Sequence, residues 1–243
     1  MAATLVRHPD PVVLERDEFI RRRFDYRPGQ HLTIMGPTES GKTTLLYQLA
    51  NQVAHPKLPA IVLVMKPKDE TVDSWAKVMR ARRSYAWPPG PSMWFQRRPR
   101  AYTVWPRHTF DPDYDDAMME AVFRRTLLDS YKRGKRIVVA DEVYGLAVDL
   151  GLTRPLGAIW KRGRSMKCGL WAASQRPAFV PLDAYSMAQH LFLHRDPDLR
   201  ARKRYSEIGG GIDPKMILDV TSSLHDHNFF YIGPGRRYCI VAP

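Results

Sequence analysis

The sequence predicts an α/β domain with a mostly parallel sheet and helices on both faces. Short, continuously apolar segments, which are typical of buried parallel strands, alternate along the chain with segments of helical periodicity. One such pair flanks the glycine-rich sequence GPTESGKT at 36–43. Alternation of this kind favours a doubly wound sheet. With 243 residues, the chain has the length of one such domain, and we interpret 1–243 as a single domain.

The first elements lie around the glycine-rich sequence. An N-terminal extension, 1–28, ends in a turn at Arg27–Pro28–Gly29, and the apolar run 31–35 predicts the first strand. Behind the glycine-rich sequence, apolar residues at helical spacing predict a helix that Pro56 ends. The next apolar run, 60–65, predicts a second strand.

The middle of the chain begins with an irregular segment. We interpret 66–100, which is basic and aromatic, as an insertion or long loop at the edge of the core, followed by a strand at 101–105. Asp111–Pro112 predicts a helix start, because Asp caps helices and Pro fits their first turn. Basic residues and Gly134 predict its end, and 137–140 is the next strand.

The last third predicts four more strands. They lie at 168–174, 190–194, 229–232 and 237–241. The turn sequence Gly233–Pro234–Gly235 joins the last two into a hairpin. Asp196–Pro197 predicts a short helix, so 196–243 is interpreted as a C-terminal helix and hairpin.

Composition restricts the class of protein. Lys and Arg number 38 against 25 acidic residues, a net charge of +13, which favours a polyanionic partner over an ordinary basic enzyme. The two cysteines, Cys168 and Cys239, lie far apart in apolar surroundings and are interpreted as reduced core thiols. No apolar window is long enough for a membrane helix, and the N-terminus lacks the apolar region of a signal peptide. We therefore expect a cytoplasmic protein without a membrane segment.

The glycine-rich sequence has the pattern GxxxxGK[ST] of a phosphate-binding loop between a strand and a helix. Its backbone N–H groups are expected to surround the β-phosphate, Lys42 to reach the β- and γ-phosphates, and the Thr43 hydroxyl to bind Mg²⁺. The predicted nucleotide-binding residues are Gly36, Pro37, Thr38, Glu39, Ser40, Gly41, Lys42, Thr43 and Thr44.

Two acidic residues, Asp141 and Glu142, come directly after the strand 137–140. Asp141 is placed to support Mg²⁺, and Glu142 to accept a proton from an attacking water. The alternative is a pair of solvated acids that begin a loop. The chain has no Asn-Lys-x-Asp of GTPases and no Leu-Ser-Gly-Gly of transporter ATPases. What remains is an ATPase with an added catalytic glutamate, which uses ATP and Mg²⁺.

A further polar residue, Gln175, follows the strand 168–174. In a parallel sheet it would lie at the same end as the phosphate loop, where it could contact the γ-phosphate and sense hydrolysis. The alternative is a strand-end residue with no role. Before this strand lies WKRGRSMK (160–167), whose cations include candidates for an arginine finger that acts on a neighbouring subunit.

In this order, GPTESGKT, IVVADE and GRSMKCGLWAASQRP resemble the FtsK–HerA superfamily of DNA-pumping ATPases, over about residues 30–195. The resemblance implies a RecA-like (ASCE) P-loop core, a ring that is hexameric or pentameric, and ATP bound between subunits. Arg164 matches the family's trans-acting arginine by its distance before Gln175, with Arg162 as the second choice. Relatives often carry an acidic residue near the end of the second strand. Here Met65 and Lys66 stand there, and Lys66 receives no catalytic role.

Within the superfamily, the compact chain is similar in layout to the genome-packaging ATPases of viruses. This similarity implies double-stranded DNA as a partner, a capsid portal or packaging vertex as a docking partner, and a location in the host cytoplasm or with the virion. Two alternatives stay open. One is a DNA-transfer ATPase of a mobile element, and the other is an ATP-dependent assembly switch that does not move DNA.

Contacts with DNA phosphates require exposed Lys or Arg. The best candidates lie in the segment 66–100, interleaved with Tyr85, Trp87 and Trp94: they are Arg80, Arg82, Arg83, Arg97, Arg98 and Arg100. The alternative is that this segment packs against a neighbouring subunit or a portal. A second candidate for the DNA path is the segment 143–157, interpreted as a loop that hydrolysis could move.

Overall fold

The computed structural model describes residues 10–90, 98–175, 179–206, 208 and 212–243. Within these ranges ten strands form one sheet. The strands are β1 (Val13–Glu15), β2 (Leu32–Met35), β3 (Ala60–Leu63), β4 (Arg82–Ser84), β5 (Ala101–Val104), β6 (Arg136–Ala140), β7 (Cys168–Ser174), β8 (His190–Leu193), β9 (Phe229–Gly233) and β10 (Arg237–Ala242).

Eight α-helices connect the strands in the described part of the chain. They are α1 (Arg16–Arg22), α2 (Lys42–Val53), α3 (Glu70–Met79), α4 (Pro112–Arg133), α5 (Thr153–Arg162), α6 (Asp183–Ser186), α7 (Leu199–Ser206) and α8 (Pro214–Ser223). Each of these helices is too short or too polar to span a bilayer.

The strand order is β1-β10-β9-β8-β2-β7-β6-β3-β5-β4. Strand β9 runs antiparallel to β8 and β10, and every other neighbouring pair is parallel. The predicted parallel sheet and the predicted C-terminal hairpin, β9–β10, are therefore confirmed. Because β2, β6, β7 and β8 run in the same direction, their last residues meet at one end of the sheet, called the carboxyl end below.

The core has two layers, one on each face of the sheet. Strand β6 contributes to both, since Val138 packs into one layer and Ile137 and Val139 into the other. Helices α4 and α5 cover the first face, through residues such as Phe123, and α1, α2 and α3 cover the second. Helices on both faces were predicted. Both cysteines are buried and unpaired, as expected.

The segment 66–100, predicted as an insertion or a long loop at the edge of the core, lies at the sheet edge but is not a long loop. Its described part contains α3 and the edge strand β4, which pairs with β5. Asp69 caps α3 by accepting a hydrogen bond from the backbone N–H of Val72 at 3.0 Å. Val72, Trp75 and Met79 are buried on one side of this helix. Apolar burial thus orders a segment whose charged residues and prolines concealed its periodicity.

Two other predictions of local structure were wrong. The segment 143–157 is mainly helical: a π-helical turn at Gly145–Asp149 precedes α5, and Leu146 and Leu156 are buried. Burial of these apolar residues fixes the segment against α4 and the sheet, so it is not an extended loop. The short helix predicted from Asp196–Pro197 is present as α7, but its predicted start was wrong. It begins at Leu199, because Asp198 rather than Asp196 accepts from an N–H of the first turn, that of Arg200.

Candidate nucleotide-binding site

The predicted phosphate loop connects β2 to α2 at the carboxyl end of the sheet. Strand β2 lies between β7 and β8, so the loop has a neighbouring strand end on each side. The backbone N–H of Gly36 donates to the carbonyl oxygen of Ser174, the last residue of β7, at 3.3 Å. Ser40 and Lys42 are buried, Gly41 and Thr43 are half-buried, and Thr38, Glu39 and Thr44 are exposed.

Both glycines of the motif are required by geometry. Gly41 caps α2 with φ +87°, in the left-handed region that favours glycine. At Gly36, a Cβ atom would lie 2.6 Å from the Cβ atom of His194, the residue that follows β8. A side chain at either position would therefore displace the loop from its neighbours.

Lys42 and Thr43 open α2 and face the end of β6. The Nζ atom of Lys42 lies 2.5 Å from the carbonyl oxygen of Pro37, within the loop that would hold phosphate. Burial lowers the pKa of Lys42, and the charge of Asp141 partly opposes this shift. The Thr43 hydroxyl lies 3.1 and 3.0 Å from the two carboxylate oxygens of Asp141.

Asp141 and Thr43 form a donor set that fits magnesium. Both supply oxygen, the ligand that Mg²⁺ prefers, and Mg²⁺ is commonly held by one or two protein groups with substrate phosphates and water. Burial raises the pKa of Asp141 above its ordinary value, while the hydrogen bond from Thr43 lowers it. A cation beside Asp141 would offset the unfavourable burial of its charge.

Glu142 points toward the end of β7. Its carboxylate oxygen accepts a hydrogen bond from the Ser174 hydroxyl at 2.9 Å. Burial raises the pKa of Glu142, while hydrogen bonds from Ser174 and from the backbone of Gln175 and Tyr144 oppose the shift. A raised pKa brings a carboxylate nearer to the range in which it can take a proton from water.

Gln175 contacts the phosphate loop directly. Its side-chain oxygen lies 2.6 Å from the hydroxyl of Thr38. The position at the carboxyl end therefore agrees with the prediction, and the contact joins the tip of β7 to the loop. The next two residues of the quoted motif, Arg176 and Pro177, lie outside the described residues.

Arg162 and Arg164 lie at the opposite, amino end of the sheet. Both are exposed and precede β7, whose seven residues span roughly 20 Å. Neither arginine is therefore near the phosphate loop of its own chain. Arg164 borders a cleft of about 870 Å³, and three further arginines line the same cleft: Arg23, Arg27 and Arg237.

The predicted DNA-binding arginines have different surroundings. Arg97 and Trp94 lie outside the described residues. Arg80 and Arg98 are exposed, whereas Arg82 donates to the carbonyl oxygen of Gly90 at 2.6 Å.

The other two predicted arginines make contacts within the chain. Arg83 stacks on Trp105, with 3.9 Å between the guanidinium carbon and the ring centroid. Arg100 donates to the carbonyl oxygens of Asn51 and Ala54, each at 3.1 Å, and so holds the end of α2.

Three residues near the site were not predicted from the sequence. Ser174 stood at a predicted strand end, and its hydroxyl proves to contact Glu142. His194 and His227 flank the phosphate loop from the segments after β8 and before β9. Both histidines belong to segments far along the chain, and no local pattern marks them.

Comparison with solved structures places this geometry among known folds. No protein-family model and no curated protein matches the chain. The genome-packaging NTPase B204 of Sulfolobus turreted icosahedral virus 2, solved with AMPPCP, superposes with a TM-score of 0.64 at 15% identity, over 90% of this chain and 100% of that one. The chain has the fold of an ATPase.

Two other solved proteins share this fold. The conjugation coupling protein TcpA of pCW3 matches 97% of this chain and 70% of its own, with a TM-score of 0.51 and 17% identity. The cytoplasmic domain of the type VII secretion ATPase EccC of Thermomonospora curvata matches 87% of this chain and 23% of its own, with a TM-score of 0.53 and 12% identity. The P-loop α/β fold that the FtsK–HerA resemblance implies is therefore confirmed.

Proposed function

We propose that this protein is a Mg²⁺-dependent ATPase that assembles as a ring and translocates double-stranded DNA, and that its role is to package a viral genome. The observation that carries the proposal is the set of three contacts at the carboxyl end of the sheet. Thr43 contacts Asp141, Ser174 contacts Glu142, and Thr38 contacts Gln175. These contacts bring together the groups needed to bind a triphosphate, activate water and detect the γ-phosphate.

Hydrolysis follows from the chemistry of these groups. Bound Mg²⁺, held by Thr43 and Asp141, would neutralise charge on the β- and γ-phosphates. Lys42 reaches the same phosphates, and Glu142 takes a proton from the attacking water. Gln175 lies where it can contact the γ-phosphate through its amide and pass the loss of phosphate to the end of β7.

A head-to-tail ring would complete each site. In such a ring the amino end of one subunit faces the carboxyl end of the next. Arg164 would then reach the neighbour's ATP and stabilise the charge that develops during phosphoryl transfer, with Arg162 as the second choice. Their placement away from their own phosphate loop supports a role in trans.

DNA as the substrate is supported by charge and by fold. The net charge of +13 suits a polyanion, and Arg80 and Arg98 are exposed for phosphate contacts. The match to B204 covers all of that packaging NTPase, so the two chains are similar in extent. Packaging would place the protein in the host cytoplasm, docked on a capsid portal or packaging vertex.

Transfer of DNA by a mobile element is the second candidate. The similarity to TcpA, a conjugation coupling protein, covers 97% of this chain and favours it. Genes for capsid or portal proteins beside this gene would support packaging, and genes for a relaxase or an integrase would support transfer.

The decisive experiment compares ATP hydrolysis with and without duplex DNA at moderate salt. The motor predicts stimulation by DNA and a ring seen in solution. A protein that hydrolyses ATP at the same rate with and without DNA, and forms no ring at any concentration, would instead be an assembly switch.

A further inference from the structure

A cleft of about 520 Å³ lies beside the phosphate loop at the carboxyl end of the sheet. Its walls are the loop itself, the segment after β8 and the segment before β9. A second cavity behind Asp141 has only about 30 Å³ and is too small for a nucleoside. We propose that the larger cleft, called the nucleoside cleft below, binds the base and ribose of the nucleotide, and that the base stacks on His227. This inference rests on the proposed nucleotide binding at the phosphate loop.

His227 faces the place where the phosphates are expected. Its Nδ1 atom lies 3.3 Å from the position that a Cβ atom on Gly41 would take, so the imidazole lies beside the N-cap of α2. The side chain is exposed on the cleft wall. Because imidazole is among the aromatic groups on which nucleic-acid bases stack, His227 offers a flat surface next to the phosphates.

The backbone of His227 is held in an uncommon conformation. Its φ is +64°, in the left-handed region that few residues other than glycine adopt. The Nη2 atom of Arg16, at the start of α1, donates to the His227 carbonyl oxygen at 2.7 Å. Arg16 is only 9% exposed, so a buried guanidinium fixes the loop that presents the imidazole. Arg16 is thus a positioning residue, supplied by the N-terminal extension.

His194 is a second histidine of the nucleoside cleft. It lines the cleft and is 5% exposed. Its Nδ1 atom lies 2.8 Å from the carbonyl oxygen of Arg195 and therefore carries the proton. The other ring nitrogen, Nε2, is buried and has no hydrogen-bond partner in the described part of the chain. This nitrogen is closed to solvent, so the inference rests on His227 and not on His194.

Two ligands distinguish binding in the nucleoside cleft from binding in the phosphate loop. The β,γ-methylene analogue of ATP would occupy both, whereas inorganic tripolyphosphate would occupy the phosphate loop alone. Dissociation constants of both, measured by calorimetry on the full chain with Mg²⁺, give a ratio that reports the nucleoside contribution. His227→Ala should weaken the analogue about tenfold, the usual scale of base stacking, and change tripolyphosphate by less than about twofold.

Control variants distinguish stacking from a damaged loop. His227→Phe keeps a stacking surface and should retain most of the affinity for the analogue. His225→Ala removes an exposed histidine of the same loop that does not line the cleft, and it should leave both constants unchanged. Arg16→Met should act like His227→Ala, whereas Arg16→Lys, which can still donate to the carbonyl, should restore the ratio.

The results distinguish failure of the nucleoside cleft from failure of nucleotide binding itself. If His227→Ala binds the analogue as tightly as the unaltered protein, or weakens both ligands equally, the nucleoside cleft is wrong while nucleotide binding stands. If the unaltered protein binds neither ligand, the proposed function fails, and this inference fails with it.

Discussion

The hydroxyl of Thr38 in the phosphate loop donates a hydrogen bond to the side-chain oxygen of Gln175, with 2.6 Å between the two oxygens. The two residues are 137 positions apart, and the bond joins the loop to the tip of β7. The same tip contacts Glu142 through Ser174. Any ligand that displaces Gln175 from Thr38 would therefore act on the strand end that holds the proposed catalytic base.

Removal of the Gln175 amide should lower the rate of hydrolysis more than the binding of nucleotide. For Gln175→Ala we expect kcat to fall by about 10- to 100-fold, on the scale of a lost transition-state hydrogen bond, while the dissociation constant of ATP changes less than about threefold. Steady-state hydrolysis and nucleotide titration measure the two. Thr38→Ser keeps the hydroxyl and is the matched control. Equal losses in binding and rate would contradict a sensing role.

The pH profile of hydrolysis should depend on Ser174. The pKa of Glu142 is raised by burial, and the hydrogen bond from Ser174 holds it down. Ser174→Ala removes this bond, so the pKa should rise further. Because a base works only when it is deprotonated, the acid limb of kcat/KM should move to higher pH.

Two further variants serve as controls for this pH test. Ser165→Ala, at the exposed segment before β7, should leave the profile unchanged. Glu142→Gln should bind ATP and lose hydrolysis by about 10²- to 10⁴-fold. Normal turnover by Glu142→Gln would show that another group is the base.

Arg98 and Arg100 lie two positions apart and should behave differently. Arg98→Ala, at an exposed position, should weaken DNA binding and reduce its salt slope by about one. Arg100 donates to two carbonyl oxygens at the end of α2, so Arg100→Ala should instead lower the free energy of unfolding by about 1 kcal/mol. DNA titrations at several salt concentrations and chemical denaturation measure these effects. An unchanged salt slope for Arg98→Ala would favour contact with a neighbouring subunit or portal.

Mild acid should destabilise the fold through His190. This histidine is fully buried between Tyr231 and Gln30, at 2.9 and 3.0 Å, and burial lowers its pKa from 6.5 to about 4. Below pH 6.5 His190 binds a proton in the unfolded chain but not in the folded chain. The free energy of unfolding therefore falls as pH falls toward 4. At pH 5 the loss is about 2 kcal/mol.

The measurement compares His190→Gln with the unaltered protein by denaturation at pH 7.5 and pH 5. The variant should be less stable at pH 7.5 but should lose about 2 kcal/mol less between the two pH values. Contributions of Asp141 and Glu142 are common to both proteins and cancel in the difference. The same pH dependence in both proteins would contradict the assignment to His190.

Local patterns predicted the centre of the fold well. The strands around the phosphate loop, helix α4 and the hairpin β9–β10 follow from apolar runs, from capping residues such as Asp111, and from Gly233–Pro234–Gly235. The position of Gln175 followed from the rule that parallel strands end at one edge. In each case the determining residues lie within a few positions of one another.

Other features were missed for different physical reasons. Helix α8 has the same Asp–Pro start as α4, with Asp213 as its cap, but it has only ten residues, of which Ile217 and Thr221 are buried, so its apolar pattern is weak. In the segment 143–157, predicted as a loop, the buried Val143, Leu146 and Leu150 have helical spacing, but Gly145, Gly151 and Pro155 interrupt the pattern. The bond from Arg16 to His227 joins residues 211 positions apart, and only the folded sheet brings them together.

The most direct test of the central claim, an ATP site shared between subunits of a DNA-stimulated ring, mixes two inactive variants. Lys42→Ala removes the phosphate contact of one subunit but leaves its arginine, and Arg164→Ala does the reverse. Hydrolysis is measured for each variant alone and for equal mixtures, with duplex DNA present. Each variant alone should be inactive, and the mixture should recover part of the activity of the unaltered protein, because Lys42→Ala subunits supply Arg164 to neighbours that bind ATP. A mixture as inactive as its components would contradict the shared site.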